Sequence, residues 1–355
     1  MTKMPSAPGT SRSERLYRHI LGGLLGEALG DAWGMPALLT PEETWQRFGG
    51  WIDRFYPGPL DHPVHAGLPA GRVTDDTEQA FALAQTIITD GLVKLEGVAR
   101  AIVSWYESVD GDRSPYIGPS TRRAVQAIRR GDPLTQTGLR GDTNGGAMRV
   151  CPVGLIHPGD IHAAARDAAL SCIPTHNTKV AASGAAAIAG AIAQALLPSS
   201  TLQEIIEAAV LAAHEAMQWG APWMGASVPR RIELAVTLAR ANKSDRERLQ
   251  DIYDIIGTTL ATSESVPAAF GVLVMGGGDL LHTATYAANL SGDADTVGAM
   301  ACAIVGAWRG VEAFPEEIVD TLKRVNPALD FEGVAMGLYQ LAKGNIRPES
   351  DESWS

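Results

Sequence analysis

The sequence predicts an all-α fold built as one compact domain. Apolar residues recur at three- and four-residue steps through most of the 355-residue chain. Runs that alternate β-branched or aromatic residues with polar ones are nearly absent, and aromatics supply only 6% of the residues. The segments between periodic stretches are short and rich in Gly and Pro, with no shift in composition that would mark a linker. These features give one domain of ten or more helices and no internal repeat of fixed period.

In chain order, residues 1–16 are polar and rich in Pro and Ser, and are expected to form a flexible tail before a domain at 17–345. A second tail is expected at 346–355. The apolar stretch "ILGGLLGEALGDAWG" (20–34) carries Glu27 and Asp31, which argue against a signal-peptide core. "TEQAFALAQTIITDG" (77–91) has the helical period and stops at Gly91. "KLEGVARAIVSWYESV" (94–109) repeats the pattern. "VAASGAAAIAGAIAQALL" (180–197) is long enough to weigh as a membrane span. Alanine is only weakly apolar, however, and Ser183 and Gln194 interrupt the run, so it reads as a buried helix. Helical periods return at 201–219, 231–242, 298–310 and 331–344. Gly/Pro-rich loops are expected at 56–71, 141–148 and 274–280. The many Gly and Ala residues on the helices imply close backbone approach.

A hydrophobic fraction of 45% supplies a sizeable core. The formal net charge is −11 and the pI about 5.2, so the basic excess of a nucleic-acid-binding surface is missing. The expectation is a soluble cytoplasmic protein with neither nucleic acid nor membrane as partner; the oligomeric state is not legible. Cys151, Cys172 and Cys302 are odd in number and widely spaced. They form no CxxC pair, so they read as small core residues in a reducing compartment.

Two acidic knots stand out: "GRVTDDTEQA" (71–80) and "SGDADTVGAM" (291–300). One reading is structural. Asp and Thr are favoured helix N-caps, and Asp75 with Glu78 three residues later resembles a capping arrangement. The other reading is a metal site. Each knot offers two carboxylates within three residues and a threonine hydroxyl, a hard-oxygen set that suits Mg²⁺, Mn²⁺ or Ca²⁺ rather than zinc. One cap needs one carboxylate, so the second is surplus. Four carboxylates around one point would repel strongly unless cations sat among them. An EF-hand is excluded by counting along "DADTVG": position 5 would be Val297 and position 12 Ile304.

With these residues in view, the chain resembles the ADP-ribosylglycohydrolase family over roughly residues 17–345. The resemblance rests on ordered blocks: "GGLLGEALGDAWGMP" (22–36), "VTDDTEQA" (73–80), "NGGAMRVCPVGL" (144–155), "THN" (175–177), "ESVPAAF" (264–270) and "NLSGDADTVGAMACAIVGAWRG" (289–310). It implies an orthogonal helical bundle with a centre of two Mg²⁺ or Mn²⁺ ions. Carried over by position, the ligands are Thr74, Asp75, Asp76, Asp293, Asp295 and Thr296, two halves of one site 218 positions apart (293 − 75). The same resemblance gives Asn144, Gly145, Gly146, Ala147 and Met148 a substrate-binding role through backbone N–H groups, and makes His176 the substrate-facing histidine. His62 and His65 in "DHPVH" are left unassigned. Trp219 and Trp223 are expected to pack rather than stack on a base. Asp31 is expected behind the ligands or as a cap.

One departure bears on chemistry. Many members of that family carry a glutamate where counting from Gly34 reaches Leu38, and the nearest acids here are Glu42 and Glu43. Either the loop is shifted or the carboxylate is missing. The implied reaction is hydrolysis at ribose C1″ of an ADP-ribosylated protein or a small ribosyl compound. An aspartate, Asp293 or Asp76, would accept the proton of the attacking water, with Asp293 the preferred base. Two alternatives accompany it: a hydrolase of small N-ribosides such as nucleosides, and a non-catalytic binding or structural member of the family.

Overall fold

Fourteen α-helices of eight residues or more make up most of the computed structural model, which describes residues 12–114 and 117–345, with long connections at 49–74 and 130–160; no strand forms among them. The expected C-terminal tail and residues 1–11 lie outside the described residues. In chain order the helices are α1 (Arg12–Gly34), α2 (Pro41–Phe48), α3 (Asp75–Asp90), α4 (Leu95–Ser108) and α5 (Pro119–Arg129). Then come α6 (Ile161–His176), α7 (Lys179–Ala195), α8 (Leu202–Ala216), α9 (Val228–Ala239) and α10 (Thr262–Gly276). The last four are α11 (Leu280–Leu290), α12 (Ala294–Arg309), α13 (Glu316–Val325) and α14 (Phe331–Asn345).

The first helix begins at Arg12, so residues 12–16 are helical rather than part of a tail. Leu16 is buried, and Tyr17 meets Tyr339 of α14 edge-on with ring centroids 6.3 Å apart. The apolar stripe therefore starts a turn earlier than composition suggests.

The pairing that positions the site is α1 against α12, packed antiparallel through residues spaced four apart. A Cβ at Gly22, Gly26, Gly30 or Gly34 would lie 2.4, 2.1, 1.9 or 2.4 Å from the carbonyl oxygen of Gly306, Cys302, Gly298 or Ala294, respectively. Four-residue spacing keeps these positions on one helical face, and only glycine permits backbones this close. The seam fixes the C-terminal half of α1, with Glu27 and Asp31, against the start of α12. Glu27 and Asp31 are both fully buried.

The stretch weighed as a membrane span is α7, an Ala-rich helix buried on nearly every side between α6 and α8. Thr178 caps it by accepting from Ala181 N–H. Among the described residues no helix is long and apolar enough to cross a membrane. The three cysteines are buried and unpaired, as their spacing suggested.

Candidate active site

Both acidic knots start helices, yet neither spends its side chains on capping in the expected way. Thr74 and Asp293 occupy the N-cap positions of α3 and α12 and make no side-chain capping bond. Glu78 instead accepts from Trp105 Nε1 (3.1 Å) and pairs with Arg72 (2.5 Å). The cap of α3 comes from α1. Asp31 accepts from Thr74 N–H (2.9 and 3.0 Å to its two oxygens), from Thr77 N–H (3.2 Å) and from the Thr77 hydroxyl (2.6 Å). One carboxylate from the glycine seam thus satisfies the orphan donors of α3 and complements its positive end. Asp75 and Asp76 are released to face elsewhere.

They face a cavity of about 280 Å³, whose floor they share with Asp293, Asp295 and Thr296. Asp76 and Asp295 are buried, while Asp75 and Asp293 are half-buried. The Thr74 hydroxyl donates to Asp76 Oδ2 (2.9 Å), and Thr74 lines a neighbouring cavity of about 210 Å³ on the other side of Asp75. Asn144, Gly145 and Met148 line the main cavity. Asn144 Nδ2 donates to Asp293 Oδ2 and to Ser265 Oγ (2.9 Å), so Asn144 aims the carboxylate of Asp293.

Three expected substrate contacts sit behind the cavity wall instead. Gly146 lies against Cys172 Sγ, and Ala147 is buried. His176 is fully buried beneath Gly145, where a Cβ on the glycine would come within 2.7 Å of the imidazole. Its ring nitrogens are both engaged, Nε2 with Thr143 Oγ1 (3.0 Å) and Nδ1 with Thr175 Oγ1 (2.8 Å). The expectation of direct substrate contact for His176 is therefore corrected: the ring supports the wall and does not form it.

The unassigned histidines do line the cavity. His62 and His65 stack with centroids 5.1 Å apart, and His65 Nε2 lies 3.5 Å from Asp295 Oδ2. Their HxxH spacing in a loop was the available signal. Trp219 packs at the core's edge, and Trp223 Nε1 donates to Asp142 Oδ2 (2.9 Å); neither lines the cavity.

The loop after Gly34 is not shifted so as to bring an acid inward. Leu38 accepts from Gly292 N–H (3.0 Å) and donates its N–H to Thr44 Oγ1 (2.9 Å). Glu42 and Glu43 lie in the first turn of α2, engaged with Gln46 and Thr40. Among the described residues no carboxylate from this loop lines the cavity, and the lip is formed by Leu39, Val64 and Leu260.

The clustered carboxyls distort one another's acidity. Asp76 is pushed up to about 7 by burial and by the charge of Asp295, against hydrogen bonds from Thr296 and Thr74. Burial and Asp76 hold Asp75 well above the usual carboxylate range; burial, Asp295 and Asp76 do the same to Asp293. Burial is also the main cause for Glu27, whose carboxyl oxygens have no geometric hydrogen-bond partner. The donor set fits hard divalent cations: all-oxygen ligands, mutual repulsion, and a buried Asp76 Oδ1 with no hydrogen-bond partner. Among the described residues no three His, Cys, Asp or Glu side chains are arranged to hold one ion. The fit is therefore one of donor chemistry and charge, not of a preformed cage.

The fold and site together define an all-helical domain whose two acidic helix starts share one cavity. The sequence profile of the ADP-ribosylglycohydrolase family matches residues 12–348, and the chain belongs to that family. It is 36% identical to the protein YegU of Escherichia coli K12 over 321 residues, covering 90% of this chain and 96% of YegU. It is 26% identical to the ADP-ribosylarginine hydrolase Tri1 of Pseudomonas putida, covering 88% of this chain and 76% of Tri1. A solved ADP-ribosylglycohydrolase-related protein complex shares the fold with a TM-score of 0.67 at 24% identity, covering 93% of this chain and 99% of that one.

Proposed function

We propose that this cavity hydrolyses the bond between C1″ of an ADP-ribosyl group and a nitrogen or oxygen leaving atom, with two Mg²⁺ or Mn²⁺ ions as cofactors. The observation that supports it is the meeting of the two distant acidic knots on one cavity floor. Asp75, Asp76, Asp293, Asp295, Thr296 and Thr74 would hold the cations. Bound there, the cations would neutralise the carboxylates, engage ribose oxygens and acidify a water. Asp293, aimed by Asn144, accepts the proton as the water oxygen bonds to C1″ and the C1″ bond to the leaving atom breaks; the leaving atom keeps the bonding pair and takes up a proton, returned by Asp293 or from solvent. The wall formed by Asn144, Gly145 and Met148 holds the remainder of the ADP-ribosyl group and so orients C1″.

A second reading, hydrolysis of small N-ribosides, is favoured by the lip. Apolar Leu39 lines the lip beside Leu38, the position where counting from Gly34 would place an acid, and the cavity of about 280 Å³ falls just below the usual range for ligand pockets. The two readings part on a substrate panel with Mg²⁺ or Mn²⁺ present. ADP-ribose release from arginine- or serine-ADP-ribosylated peptides supports the first, and ribose release from nucleosides supports the second. No turnover on either class, with divalent cation and folded protein both demonstrated, would defeat the catalytic reading.

A further inference from the structure

Beneath the cavity floor lies a fully buried arginine whose bonds all go to neutral groups. Arg149, the last residue of "NGGAMR", is completely inaccessible to solvent. Its Nη1 donates to Gln79 Oε1 (3.1 Å), and its Nη2 to Thr175 Oγ1 (2.6 Å) and Ser171 O (3.5 Å). Gln79, also buried, donates from Nε2 to Asp75 Oδ2 (3.0 Å). Burial lowers the guanidinium only to about 10, so it is a permanent cation at neutral pH.

We infer that Gln79 and Arg149 form a strut that positions Asp75, making both of them positioning residues for the cavity floor. This rests on the cation-dependent reading of the site only for its binding and kinetic readouts. The amide of Gln79 has one allowed orientation. Arginine can only donate, so Oε1 must face Arg149, which leaves Nε2 to donate to Asp75. The four-residue step from Asp75 to Gln79 places them one turn apart on the same face of α3. The guanidinium is held from the other side by α6 through Ser171 and Thr175, so Asp75 is tied to a second helix rather than to α3 alone. A purely structural role would not require a charge here, since apolar side chains of similar volume usually fill such a position at no loss of stability.

The test uses the full-length protein and three variants: Gln79→Met, Arg149→Met and the Gln79→Met/Arg149→Met double. Each is followed by thermal unfolding, Mn²⁺ calorimetry, steady-state kinetics and crystallography. In Gln79→Met we expect Asp75 to change rotamer, Mn²⁺ affinity to fall about 10-fold, and kcat to fall about 10-fold with KM little changed. In the double variant the apolar pair should restore the melting temperature without restoring affinity or kcat. Recovery of all three would mean the strut only stabilises the fold, and would overturn the inference. So would a Gln79→Met crystal structure in which Asp75 keeps its place. That last observation needs no cation. If the wild type takes up no Mn²⁺, the cation reading fails, while the position of Asp75 still decides the strut.

Discussion

Substituting Gly30 by alanine tests whether the α1–α12 seam sets the site. The added Cβ would lie 1.9 Å from the Gly298 carbonyl oxygen and 2.2 Å from its carbon. Both are backbone atoms and cannot rotate aside. Ordinary contact begins at 3.4 Å, so the helices must part by about 1.5 Å (3.4 − 1.9) or bend. Overpacking of this kind costs roughly 2–3 kcal/mol. In a chain of this size that lowers the melting temperature by about 3–4 °C. Function should suffer further, because the next residue, Asp31, carries the start of α3 and with it Asp75 and Asp76. A displacement on the order of 1 Å at reacting groups can cost about 100-fold in rate. The assay pairs calorimetric melting with ADP-ribose release, using Gly344→Ala as control, since nothing lies within 4 Å of a Cβ added there. The control should be neutral or up to about 1 kcal/mol more stable. Gly30→Ala that melts and turns over like wild type would refute the account of the seam.

Asp293→Asn should abolish turnover while raising the melting temperature of the protein in EDTA, because it removes one charge from a repelling group; unchanged activity would discard Asp293 as the base. The EDTA-treated protein should also lose stability as pH rises. Asp76 titrates near 7 when folded against 3.8 as its ordinary value, so the native state holds the extra proton between those limits. Its stabilisation is complete below about pH 4 and declines through about pH 7, a span worth roughly 4 kcal/mol; a melting temperature flat across that window would contradict the clustering. Saturating Mn²⁺ should flatten or reverse the trend by binding the ionised form. Thiol reagents should not label the native protein. Burial raises all three cysteine thiols, and none is more than 1% exposed, so labelling should appear only with unfolding.

What the sequence revealed follows from how local each signal is. Helical period is local, so the helices were legible; the start of α1 was misplaced because Leu16 and Tyr17 make their case only through partners distant in the chain. The surplus carboxylate in each knot was legible as a chemical oddity, and the family resemblance supplied its pairing. Asp31 was expected behind the ligands or as a cap, and it is a cap; that it caps α3 from another helix could not be read, since a cap in the sequence is sought beside the helix it caps. His176 was misplaced for a related reason: "THN" states that a histidine is present and not which way its ring points. Gln79 and Arg149 carry no sequence signature, because each is ordinary until the other is in contact.

These placements share one electrostatic logic. Five carboxylates, Asp31, Asp75, Asp76, Asp293 and Asp295, gather where the starts of α3 and α12 meet. The fold brings positive charge to them from within: two helix N-termini, each worth about half a charge, and the guanidinium of Arg149. Burial, with Asp76 and Asp31 nearby, pushes the carboxyl of Glu27 well above the usual carboxylate range. With all five carboxyls ionised and Arg149 charged, four negative charges remain (5 − 1), which is the charge two divalent cations would carry. The helix ends reduce this excess only in part, and each falls off within its first turn. Protons can fill part of the remainder, as the raised pKa of Asp76 shows, but that proton is lost as pH rises through about 7. At neutral pH and above, a bound cation is the alternative to an unstable array. The same clustering that weakens the cation-free protein would therefore supply its affinity for cations.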